Sequence, residues 1–148
     1  SLPIVEYFLS SELHEPDFSS CNLGGRTPFH LAVEERRHDV VRYILERDII
    51  DVNVGDQQGW TPLFIAADTG DSTLVKMLVK YGANPDVPTQ KGNTALAQAA
   101  RNGSLGIVRY LVEVAGADPS PLNTNGKNAA QQALESQHTE VYKYLREL

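Results

Sequence analysis

Apolar residues along this chain come in short bursts at a fixed interval. Val40-Val41-Arg42-Tyr43-Ile44-Leu45, Leu74-Val75-Lys76-Met77-Leu78-Val79, Ile107-Val108-Arg109-Tyr110-Leu111-Val112 and Val141-Tyr142-Lys143-Tyr144-Leu145-Arg146 share one pattern of apolar pairs separated by a cation and a large side chain. Each predicts a short helix with one buried face. Upstream of each lies a second apolar stretch: Phe29 to Ala32, Leu63 to Ala66, Ala95 to Ala99 and Ala129 to Ala133. Its start is marked by Thr27-Pro28 and Thr61-Pro62, an N-cap followed by a proline in the first helical turn. Thr94 and Asn128 stand at the same place without a following proline, so the fourth unit's first helix is expected to lack a pre-set N-terminus. The anchors at 27, 61, 94 and 128 differ by 34, 33 and 34, and a glycine (Gly25, Gly59, Gly92, Gly126) precedes each by two.

Each unit therefore reads as helix, tight turn, helix and a Gly/Asn/Asp-rich loop. Gly70 and Gly103 fit the inter-helix turn, where a positive φ suits glycine. Arg36 and Gln137 fall at that place in the first and last units, so those turns are expected to be strained or differently shaped. Neither helix can bury its apolar face alone. Stacked units bury a continuous core, which is the physical reason for repetition.

The two Thr-Pro motifs, the period and Tyr81-Gly82-Ala83-Asn84 resemble the ankyrin repeat family. The resemblance implies an all-α solenoid of stacked helix-turn-helix units joined by β-hairpin-like loops. A single domain over 1–148 is expected, with a half repeat at 1–21 and repeats at 22–55, 56–88, 89–122 and 123–148. The N-terminal end looks cut from something longer, while polar residues make the last helix a plausible cap.

In this family the surface left over by the scaffold does the binding. By similarity, the concave groove holds Leu23, Arg26, Glu34 and Glu35 from the first unit and Gln57, Gln58, Trp60, Asp68 and Thr69 from the second. The third contributes Gln90, Lys91, Asn93, Arg101 and Asn102, and the fourth Lys127. Trp60 is the only tryptophan and precedes an N-cap, where the fold does not need an apolar residue and burial is not expected. It is the natural interface anchor. Glu34, Glu35 and Asp68 make the front of the groove acidic, which suits a partner with a basic patch there. Lys91, Arg101 and Lys127 make the rear more basic. Tyr7, Tyr43, Met77, Tyr110 and Tyr144 form a column on the second helices that reads as packing between units. Asn53 resembles the asparagine that is hydroxylated in many ankyrin repeats, and is carried as a modification site; the plainer reading is a turn asparagine bonding its own backbone.

Composition narrows the classes. Net charge is −6, and residues 1–21 carry Glu6, Glu12, Glu15 and Asp17 with no Lys or Arg. Nucleic acid and anionic membrane are therefore not the expected partners. Cys21 is the only cysteine, which fits a reducing compartment, cytoplasmic or nuclear. His14, His30, His38 and His138 are too scattered for a metal site, and His30 reads as a core histidine bonding loop backbone. No Gly-rich phosphate loop or nucleophile elbow is present, so neither catalysis nor a cofactor is expected. Two functions stay open: a monomeric module that binds another protein or peptide, and the substrate-recognition or assembly part of a larger enzyme or channel.

Overall fold

The computed structural model describes residues 21–48 and 50–148. The half repeat read from 1–21 therefore lies outside the described residues apart from Cys21, as do Tyr7 and His14. The described residues form eight helices and no strand. They pair as α1 (Pro28–Glu34) with α2 (His38–Glu46), α3 (Pro62–Thr69) with α4 (Ser72–Lys80), α5 (Ala95–Asn102) with α6 (Leu105–Glu113), and α7 (Ala129–Glu135) with α8 (Thr139–Arg146). The result is a helical repeat solenoid.

All four first helices start the same way. Thr27, Thr61, Thr94 and Asn128 have extended backbones, and their side-chain oxygens accept from the backbone N–H three residues on. The first helix of the fourth unit, α7, is better set than its sequence suggests. Asn128 Oδ1 accepts from Gln131 N–H, and Gln131 Oε1 accepts in return from Asn128 N–H, both at 2.9 Å. This reciprocal cap replaces the missing proline.

The inter-helix turns are also alike. Gly70 and Gly103 sit at φ 78° and 77°, and Arg36 and Gln137 at 58° and 65°. In every case the next residue's N–H bonds back five residues: Arg37 to Ala32, Asp71 to Ala66, Ser104 to Ala99 and His138 to Ala133, at 2.9–3.2 Å. The expectation of differently shaped turns is corrected: Arg36 and Gln137 adopt the left-handed form that glycine adopts elsewhere. The ring of carbonyl acceptors holds them there, at a cost of about 1–2 kcal/mol of backbone strain each.

The first helices form the tighter layer. Ala32, Ala66, Ala67, Ala95, Ala99, Ala100 and Ala133 are buried along it, and small side chains let α1, α3, α5 and α7 approach closely in series. The second helices supply the larger Ile44, Leu74, Leu78, Val108 and Leu111 and pack more loosely against one another. Two cation–ring contacts tie this outer layer across repeats: Lys76 to Tyr110 (5.8 Å) and Arg109 to Tyr144 (5.2 Å), with Tyr144 Oη donating to Glu113 (2.9 Å). Tyr110 and Tyr144 thus pack between units, as the sequence reading of the column had it, whereas Tyr43 lies against Arg47 of its own unit.

Candidate functional site: the cleft of the second and third hairpins

Four hairpins precede the first helices, and each turns on one polar residue. Asn22 Oδ1, Asp56 Oδ1, Thr89 Oγ1 and Asn123 Oδ1 accept from the N–H four residues on, of Arg26, Trp60, Asn93 and Lys127, at 2.9–3.2 Å. The same residues close the turn through their backbone carbonyls, which accept from Gly25, Gly59, Gly92 and Gly126 N–H at 2.8–3.0 Å. One backbone bond then joins each hairpin to the next: Gln57 N–H to Gly24 O, Gln90 N–H to Gln58 O and Thr124 N–H to Lys91 O. These turn residues recur at spacings of 34, 33 and 34, a signal present in the sequence but hidden by the change of residue type.

Trp60 is held by this frame. Its N–H is fixed by Asp56, and its carbonyl by His30 Nε2 at 3.0 Å. His30 is wholly buried; Nε2 also donates to Val54 O (2.9 Å), and Nδ1 accepts from Thr27 N–H (3.1 Å). Two carbonyls at Nε2 require the proton there. Burial holds the imidazole below its ordinary pKa of 6.5, against the pull of those carbonyls, so it is neutral. His30 is a structural histidine that aims the second hairpin.

The indole is half-buried, which corrects the expectation that it would not be used by the fold. It packs against the core and lies 4.7 Å from the Phe64 ring, tilted by 54°. The Arg26 guanidinium stands 5.7 Å from its ring centroid. Arg26 is itself held by Asp56 (3.2 Å) and Glu34 (2.5 Å); burial lowers its pKa, but these two acids outweigh that and raise it.

Trp60 and Phe64 form one wall of a cleft of about 430 Å³. Gln58, Gln90, Lys91, Asn93, Arg101 and Asn102 also line it, together with Thr89 and Gln98. The fold brings these predicted residues together. Phe64, Thr89 and Gln98 were missed, because they occupy positions that the family pattern assigns to the scaffold. Lys127 lines a second cleft of about 210 Å³ with Arg101, Asn123, Asn125, Gln132, Glu135 and Ser136, and is paired with Glu135.

The remaining predicted residues have other tasks. Leu23 is 97% exposed at the first hairpin tip, away from the cleft. Asn93 is buried, and its Oδ1 accepts from Asn123 Nδ2 (3.2 Å), so it is not a free surface group. Asp68 accepts from Gln98 Nε2 (2.7 Å) and Asn102 Nδ2 (3.2 Å), and bridges α3 to α5. Thr69 Oγ1 donates to Ala66 O, while its own carbonyl accepts from Arg36. Gln57 O accepts from the Gln90 side chain. Glu34 and Glu35 pair with Arg26 and, at 4.0 Å, with Arg37. Asn53 is half-buried; its Oδ1 accepts from Asn84 N–H (2.7 Å), as Asp86 Oδ1 does from Asp118 N–H (2.9 Å). It is a rung between loops. Among the described residues no cluster of His, Cys, Asp or Glu could hold a metal ion, and no helix is long and apolar enough to cross a membrane.

The family described as "Ankyrin repeats (3 copies)" matches residues 1–89 and, again, 68–148. The chain belongs to the ankyrin repeat family. It is 36% identical to alpha-latroinsectotoxin-Lt1a of Latrodectus tredecimguttatus over 92 residues, 62% of this chain and 6% of the toxin. It is 34% identical over 97 residues to the human transient receptor potential cation channel subfamily A member 1, 66% of this chain and 8% of the channel. The human ankyrin repeat domain-containing protein 63 is 30% identical over 132 residues, 84% of this chain and 34% of that protein. The chain thus spans between 6% and 34% of the length of these three relatives. Ankyrin repeats in general are non-catalytic protein-interaction modules.

Proposed function

We propose that this chain is a protein-binding module, and that the cleft between its second and third hairpins receives a segment of a partner protein. The observation that carries the reading is the Trp60–Phe64 wall, a half-buried indole packed on a buried phenyl ring at the edge of a cleft whose rim is otherwise polar and cationic. An aromatic anchor inside a polar rim is the composition of an interaction hot spot. Each hairpin is bonded to its neighbours before a partner arrives, so little ordering entropy is lost on binding. A photo-cross-linking residue placed at Gln58, on the cleft, should capture a partner from cell extract. The same residue at Arg42, on the outer helices, should not. Capture at Arg42 alone would move the binding surface away from the cleft.

A second reading makes the chain the assembly or recognition part of a larger channel or enzyme. It draws on the channel relative, of which the matched stretch is a small part. In that case the segment captured at Gln58 belongs to the same polypeptide rather than to another.

A further inference from the structure

The cleft holds two cations that nothing in the described structure neutralises. Lys91 stands in the third hairpin and Arg101 in the last turn of α5. Both are exposed, and neither side chain makes a hydrogen bond, ion pair or ring contact among the described residues. The other cations nearby are matched: Arg26 by Asp56 and Glu34, and Lys127 by Glu135. Asp68, the acid beside this wall, does not line the cleft, and its carboxylate is engaged by the Gln98 and Asn102 amides. The open charge of the cleft is therefore positive, although the chain as a whole carries −6.

We infer that the cleft takes an extended protein segment carrying a carboxylate side chain next to an aromatic or aliphatic one. The carboxylate meets Lys91 and Arg101, and the apolar side chain covers Trp60 and Phe64. This rests on the protein-binding reading above and adds the chemistry of the partner. Charge complementarity selects the acid: two unmatched cations beside a low-dielectric aromatic wall attract one carboxylate more strongly than the same cations in open water. A cleft of about 430 Å³ accepts a few side chains of a peptide. The negative field of the whole protein repels a long polyanion but hardly a peptide with one or two acids. The acidic front that would suit a basic partner is weaker than it reads, since Glu34 is already satisfied by Arg26.

The test is a selection of random twelve-residue peptides displayed on phage against the whole chain, followed by affinity measurement of individual synthetic clones. Clones rich in Asp or Glu beside Phe, Leu or Trp are expected. Lys91→Glu with Arg101→Glu should weaken them about 30-fold or more at low salt, with the effect shrinking as salt rises. Both residues are exposed and unpaired, so the double variant should keep its melting midpoint. Arg42→Glu with Lys143→Glu on the outer helices changes net charge equally and should weaken the clones less than about 3-fold. Neutral or basic clones that cross-link at Gln58 would overturn the acidic assignment and leave the cleft reading standing. Clones that cross-link only at Arg42 would overturn both. Equal displacement of the peptides by a twelve-nucleotide oligothymidine would show a general anion site and overturn the proposal, as would the absence of any selected clone.

Discussion

Two clefts run between the hairpins on one backbone plan. Gln90 N–H bonds Gln58 O beneath the first, and Thr124 N–H bonds Lys91 O beneath the second, both at 2.9 Å. Their contents differ. The first is walled by Trp60 and Phe64 and carries unpaired cations; the position of Trp60 in the next repeat is Asn93, which is tied to Asn123. The second is half the size and wholly polar; it shares Arg101 with the first, but its lysine is paired with Glu135 and no aromatic side chain lines it. The scaffold residues repeat, so the backbone repeats. Function can sit on one interface and not on the next, because only the positions that the scaffold leaves free decide what a cleft attracts.

The largest effect should separate the matching turns at these two interfaces. A Cβ on Gly103 would lie 2.4 Å from His138 Nδ1, whereas one on Gly70 meets nothing within 4 Å. Both sit at positive φ. Gly70→Val should lower stability by about 1–3 kcal/mol from strain alone, and Gly103→Val by about 1 kcal/mol more, unless His138 swings away. Urea denaturation of the two variants reads the difference, and equal losses would mean that the third–fourth interface yields as easily as the second–third.

Trp60→Ala comes next. The ring is half-buried against Phe64 and the core, so its removal should reduce stability by about 2 kcal/mol as well as weaken binding. Asn93→Ala, at the matching position of the second cleft, should cost about 1 kcal/mol, one interloop hydrogen bond. An unchanged melting midpoint for Trp60→Ala would return the indole to a pure binding role.

A smaller effect concerns pH. The folded pKa of His30 lies below the unfolded value of 6.5, so the unfolded chain takes the proton first. Stability from the neutral imidazole is complete above pH 6.5 and declines as pH falls below it. His30→Gln keeps an acceptor for the Thr27 N–H, as Gln131 does for Asn128, and should remove this decline. Asp71 behaves separately. Burial raises its carboxyl pKa, but the His38 and Leu74 hydrogen bonds outweigh that and hold it below 3.8, so its contribution is lost only at still lower pH. A decline between pH 6.5 and 5 that persists in His30→Gln would assign it to another group.

The smallest effect is a gain. Gln137 closes the turn beside the second cleft at φ 65°, and its side chain makes no hydrogen bond among the described residues. Gln137→Gly should raise stability by about 0.5–1 kcal/mol, as relief of strain exceeds the added freedom of the unfolded chain. A loss would mean that the turn holds Gln137 without strain.

Much of this protein is legible in one dimension. The recurring Thr-Pro anchors, the glycine two residues before each, and the paired apolar bursts determine the helices, their caps and the reason they stack, because those signals are local and repeat at a fixed interval. The resemblance to the ankyrin family, carried over position by position, also placed Gln58, Trp60, Lys91 and Arg101 on one surface. The sequence did not show which of those groups are already spoken for. Arg26 and Asp56, 30 residues apart, and Asp68 with Asn102, 34 apart, meet only when neighbouring repeats stack. Half-burial of Trp60, loss of Asn93 to Asn123, and the open charge of Lys91 and Arg101 are consequences of the same contacts. A pattern along the chain specifies which face a residue occupies. Whether its charge or hydrogen bonds are satisfied depends on atoms one repeat away, and only packing brings those within reach.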